Sequence, residues 1–391
     1  MKFPPLVQAT QPSRWLLAGA FVMSLAACGG SDDYVAPAPA STTATLTASL
    51  SGDQEPTPTA TGALGTGSLA VTTPSRAVTG SITINGMTAT AAHVHIGDTG
   101  VNGAVIISLT ETTAGSGMWS VPANTTLTEA QATAFAAGGL YFNAHSTDNP
   151  GGEIRGQIGR QVFAGQMSAA QEVPTNASAA TGNGLLSFDP ATKKFTARVT
   201  LTGMVATAAH IHNGALGVNG AVIFPLSQTA SGSGIWVAAA DATLTDEQIV
   251  ALNAGGLYFN AHSAAFPGGE IRGQIGRNVA FASLSAAQEV PTNGSTATGT
   301  GTLVVDPATR AASGGITLTG ITATAAHIHL GASGANGPVI VPLANAGAGV
   351  WNVPAGTLFT AEQLKAYKQG NLYFNAHSTA FPGGEIRGQI R

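Results

Sequence analysis

All nine histidines of the 391-residue chain fall into three matching sets: His93, His95 and His145; His210, His212 and His262; His327, His329 and His377. Each set opens with His-x-His. On a β-strand, residues i and i+2 project from one face with Cα atoms about 6 to 7 Å apart, so the two imidazoles could share one ion. The third histidine ends a Leu-Tyr-Phe-Asn-Ala-His run, where alternation puts His145 on one face with Tyr141 and Asn143 while Leu140, Phe142 and Ala144 lie opposite. A neighbouring strand would carry it to the pair. Neutral imidazoles without a thiolate or a constant carboxylate suit copper or zinc, and copper binds them more tightly in the Irving–Williams order. Three protein ligands leave a position open, which permits catalysis without requiring it. Two other uses fit the same residues, a packed cluster hydrogen-bonded to carbonyls and a pH sensor. The copies have drifted around the histidines, with Ile96, Asn213 or Leu330 after the second one, yet each keeps all three.

A second repeated polar group is Glu153-Ile154-Arg155, with equivalents at Glu270 to Arg272 and Glu385 to Arg387. Only 9% of the residues are charged, against roughly 25% in an average soluble domain, so each charge here has a job. One reading is an ion pair, with Glu55, Glu172 and Glu289 as further partners, that pins the first strand of a unit to its last. The other puts Arg155, Arg272 and Arg387 behind the histidines, as outer partners of the ligands or as groups that attract anions to the open position. Trp119, Trp236 and Trp351 read as core residues.

These residues recur because the chain repeats. His-x-His is followed by Gly97, Gly214 and Gly331, 117 residues apart both times, and Pro-Gly-Gly-Glu-Ile-Arg-Gly-Gln-Ile begins at Pro150, Pro267 and Pro382. A period of that length is a whole domain rather than a solenoid repeat, and it divides the chain into residues 44–159, 160–276 and 277–391. Local signals within a unit are those of strands: Ala197, Val199 and Leu201 alternate with Thr196, Arg198, Thr200 and Thr202, and the turn at Asp189-Pro190 pairs this run with Leu185 to Phe188. About eight such strands per unit predict an all-β fold, an antiparallel sandwich or a barrel-like closure of it. One short helix per unit is expected, because Thr245 with Gln248, Thr128 with Gln131 and Thr360 with Gln363 fit the capping box, and Gly255-Gly256 supplies a stop. Only Gly159-Arg160 and Gly276-Arg277 separate the units, so a stiff rod or bent chain of domains is expected.

The first 28 residues read as a secretory signal, with Lys2 and Arg14 ahead of an apolar run that closes on Leu25-Ala26-Ala27-Cys28. That ending resembles the bacterial lipobox, which makes Cys28 the lipidated first residue of a protein tied to the cell envelope by a membrane anchor, facing the periplasm or the cell surface. Residues 29–43 then read as a flexible tether. Cys28 is the single cysteine, so the exported domains must be stable without disulfides. Loss of Lys2 and Arg14 takes the basic count from 15 to 13 against 19 acidic residues, a formal charge of -6 that argues against nucleic acid as a partner.

Taken together, Gln-Glu-Val-Pro, Ala-Ala-His-Ile-His, Leu-Tyr-Phe-Asn-Ala-His and Pro-Gly-Gly-Glu-Ile-Arg-Gly-Gln resemble the CHRD domain, in three tandem copies. The resemblance implies an all-β extracellular module and leaves its activity open. His93-Val94-His95 with Gly97-Asp98, His145 and Arg155 also resemble the copper ligands and active-site arginine of Cu/Zn superoxide dismutase. No further histidine exists to build the zinc site of that enzyme, and Asp98 gives way to Ala215 and Ala332. The leading expectation is an envelope protein that binds copper or zinc at three sites. The competing expectations are a structural or adhesive spacer, and a copper redox enzyme. No Ser-His-Asp order, catalytic carboxylate pair or phosphate loop suggests other chemistry.

Overall fold

A computed structural model of the chain describes residues 40–391. The expected signal with Cys28 and most of the expected tether lie outside the described residues, and the first strand begins at Thr42. Ser41–Arg391 form one compact unit.

Alternation along each strand decides which face is buried. In Phe195–Thr202, Phe195, Ala197, Val199 and Leu201 turn inward while the residues between them stay in contact with water. In the middle copy, strand pairing closes the sheet on itself. Around this antiparallel barrel the order is Gln161–Ser168, Thr181–Phe188, Phe195–Thr202, Ile235–Ala238, Ala221–Gln228, Ala206–Asn213, Leu257–Ser263 and Ile271–Gln274. Ser168 opposite Arg272 completes the ring. In the outer copies the strand equivalent to Ala221–Gln228 is interrupted at the buried Leu109 or Leu343, which gives nine segments in otherwise the same order. The fold is therefore all-β and barrel-like in every copy. Trp119, Trp236 and Trp351 lie in the three cores, as expected.

The helices occupy Glu129–Ala136, Asp246–Asn253 and Ala361–Lys368, each opened by a complete capping box on Thr128, Thr245 or Thr360. Each leads into the strand that carries the third histidine, and Leu252 of the middle helix is wholly buried against the barrel.

The joints between copies are tied by side chains. Arg160, at the start of the second copy, donates to the Ala137 carbonyl at the end of the first helix and pairs with Asp189 of its own copy at 3.6 Å. Arg277 repeats this with the Asn253 carbonyl and Asp306. The array is not an open rod, however, because the third copy packs on the first. Lys368 pairs with Asp53 at 2.9 Å with both side chains buried, and Arg310 donates to the Gly62 carbonyl. Gly62 is required there: a Cβ on it would lie 1.8 Å from the Ala361 carbonyl oxygen. The residues of this contact are particular to it. Asp53 stands where the other copies have Ala170 and Ala287, Lys368 where they have Ala136 and Asn253, and Gly62 where they have Ala179 and Thr296.

Candidate metal centre

The His-x-His strand lies beside the strand of the third histidine in every copy. In the middle copy His210 faces Asn260, Ile211 faces Phe259 and His212 faces Tyr258, while His262 pairs with Ala208 one step along. Val94, Ile211 and Ile328 point into the core with no exposure, so the histidines on either side project from the outer wall of the barrel. His95 and His212 are nonetheless buried, because the segment after the motif folds back over them. That fold-back needs glycine. A Cβ on Gly103, Gly220 or Gly337 would come within 1.5 to 1.7 Å of the carbonyl oxygen of Ile96, Asn213 or Leu330.

All three sequence-derived sets converge. In each, one nitrogen of every imidazole lies within 4.8 Å of the others. Hydrogen bonds to the backbone settle which nitrogen carries a lone pair. His95 donates from Nδ1 to the Gly103 carbonyl at 2.9 Å and His145 from Nδ1 to the Pro150 carbonyl at 3.0 Å. A carbonyl only accepts, so both rings present a bare Nε2. His93 Nδ1 lies 3.0 Å from His145 Nε2. The other copies repeat these contacts, His210 with His262, His327 with His377, His212 on Gly220 and His329 on Gly337, to within 0.1 Å. The Nε2 atoms of His95, His212 and His329 are buried and have no partner.

The surroundings disfavour a proton on the rings of each His-x-His pair. Burial, then the neighbouring histidines, lowers the proton affinity of His93, His210 and His327 below the ordinary imidazole value. Burial does the same for His95, His212 and His329, against the opposing effect of the carbonyl each ring donates to. A neutral imidazole with a free lone pair is the form that ligates a metal.

Three repeated residues that the sequence did not single out hold this arrangement. Tyr141 stacks on His95 with ring centroids 4.8 Å apart, and its hydroxyl accepts from the Gly103 amide. The Gly103 and Pro150 carbonyls fix the two tautomers. Tyr141 shares the alternation face of His145, which was visible, but carbonyl partners carry no side-chain signature.

The repeated arginines form no ion pair with a glutamate among the described residues, contrary to that reading of the sequence. Arg155 donates to the carbonyls of Asp98 and Val101, and its guanidinium lies 3.4 Å over the Tyr141 ring. The contact at residue 98 is to the backbone, which explains why Ala215 and Ala332 serve equally well in the other copies. Glu153 instead accepts from the hydroxyls of Thr61 and Ser146, and Glu55 from the Asn143 amide. First and last strands are joined through the backbone, Ser51 opposite Arg155.

A tandem array of β-barrels, each with the same three-imidazole cluster on its outer wall, is thus the class of protein defined by fold and site. The chain belongs to the CHRD domain family, whose profile matches residues 46–158, 163–275 and 280–390. No curated protein and no solved structure matches it, so the likeness to superoxide dismutase rests on the quoted residues alone.

Proposed function

We propose that the protein binds one copper or zinc ion per domain through His93, His95 and His145, His210, His212 and His262, and His327, His329 and His377. One observation carries this reading: the buried Nε2 of His95, repeated in His212 and His329, has a free lone pair, no partner, and two further imidazoles beside it. Leaving such an acceptor unsatisfied costs about 1 to 3 kcal/mol, which a bound ion would recover. The bonds from His95 to Gly103 and from His145 to Pro150 are those that orient metal-bound imidazoles, with the second ring nitrogen donating to a carbonyl. On binding, the proton of His93 would move from Nδ1 to Nε2, so the ion replaces a hydrogen bond without expelling a proton. Copper, if it is the ion, would bring one-electron chemistry to an otherwise redox-silent barrel.

The spacer reading draws on the contact between His93 and His145, which satisfies two rings without an ion. It leaves His95 Nε2 unexplained. Elemental analysis of protein purified without a histidine tag separates the two. Copper or zinc approaching three ions per chain supports the metal reading, and protein that stays metal-free when both ions are supplied supports the spacer.

We also propose that Cys28 is lipidated and anchors the domains to the bacterial cell envelope. Support comes from the Leu-Ala-Ala-Cys ending of the apolar run. Cys28→Ser should move the folded protein from the membrane fraction to the soluble fraction; continued membrane association would refute the anchor.

A further inference from the structure

Each histidine cluster has a fixed positive charge behind it. Arg155, Arg272 and Arg387 are at most 1% exposed, and among the described residues none has a carboxylate within 4.0 Å. In each copy the guanidinium lies 3.4 to 3.5 Å over a tyrosine ring that stacks on the second histidine at 4.7 to 4.8 Å. The strand of Tyr141 runs between those of His95 and Arg155, so imidazole, phenol and guanidinium make one column from ion to cation. Glu55, pushed up to about 7 by burial, accepts from the Asn143 amide and forms no ion pair with Arg155. No carboxylate belongs to the three ligands either.

An ion at these sites therefore keeps its whole charge and faces a buried cation in a medium that screens far less than water. From this we infer that the clusters select reduced, monovalent copper over divalent copper and zinc, with Arg155, Arg272 and Arg387 as the residues that set the selection. The inference rests on the metal reading above and names its ligand. A divalent ion meets twice the repulsion of a monovalent one. Among divalent ions Cu(II) already outbinds Zn(II) on such ligands, so the competition that matters is between the two states of copper. These arginines act through the column and are positioning residues.

The test is a potentiometric titration of copper-loaded protein, with Cu(II) followed by its electron paramagnetic resonance signal. Replacing all three arginines by Met should lower the ratio of Cu(I) to Cu(II) affinity about tenfold, a fall of about 59 mV in midpoint potential for one electron. Replacement by Lys, which keeps the charge but not the paired contacts to carbonyls, should retain most of the wild-type potential. An unchanged potential in the Met protein would overturn the inference, as would equal falls in the Met and Lys proteins, which would mean that only the loop contacts matter. Should the Met protein not fold, the wild type is compared with a peptide spanning residues 91–97, which has His-x-His and no arginine; a wild-type potential no higher than that of the peptide overturns it. Protein that takes up neither state of copper overturns the metal reading itself, a result distinct from uptake without selection.

Discussion

The titratable groups around each cluster pull stability in opposite directions as pH changes. Burial lowers the proton affinity of seven histidines, among them His95 and His212, so below about pH 6.5 the folded chain binds fewer protons than the unfolded one and acid costs stability. Bound metal should be lost over the same fall in pH, as protons compete for the lone pairs. Glu55 behaves in the opposite sense. Its folded value of about 7 lies above the ordinary 4.5, so its contribution is fully present below about pH 4.5 and is lost as pH rises through 7. Glu55→Gln keeps the acceptor for Asn143 and removes the buried charge. The variant should match the wild type in urea denaturation at pH 4.5 and exceed it at pH 8, by up to about 3 kcal/mol. At this scale the histidines were legible because strand alternation is a strict rule. The partners of Arg155 were not, because carbonyls of a folded-back loop leave no trace in residue identity.

Strands and helices were the most readable level. Phe195–Thr202 declares its inner face at every second residue, and the capping boxes mark all three helix starts. Closure into a barrel was less legible than the strands, because inward alternation is common to a sandwich and a barrel and only register separates them. The interruption at Leu109 and Leu343 had no sequence cue that we can identify. Two outcomes follow for these elements. Thr245→Ala should lower the stability of the middle domain by about 1 kcal/mol in thermal or chemical melts, the usual worth of an N-cap. Gly220→Ala should weaken metal binding at the middle site in a competition assay, since the new Cβ would displace the Gly220 carbonyl that orients His212.

The contact of the third copy with the first depends on Asp53, Gly62 and Lys368, single departures from the repeat that were open to view but meaningless without a partner. Three domains of one fold would otherwise give no reason to choose one pairing. Lys368→Ala should cost about 3 to 5 kcal/mol at this contact by leaving Asp53 buried without its counter-charge, and joint replacement of Asp53 and Lys368 by Ala should recover much of the loss. A double-mutant cycle in chemical denaturation, with scattering to follow the separation of the domains, measures both. Additive losses with no recovery would mean that the pair does not hold the copies together.

Because each copy contains its own complete set of histidines, the three sites should bind independently. Calorimetric titration of metal-stripped wild type and of His212→Ala, with copper and with zinc, tests this most directly. The wild type should take up three equivalents and the variant two, with the affinity of the remaining sites unchanged, because two imidazoles seldom hold an ion against water. Equal stoichiometry in the two proteins, or wild-type binding no tighter than that of a His-x-His peptide, would contradict the account.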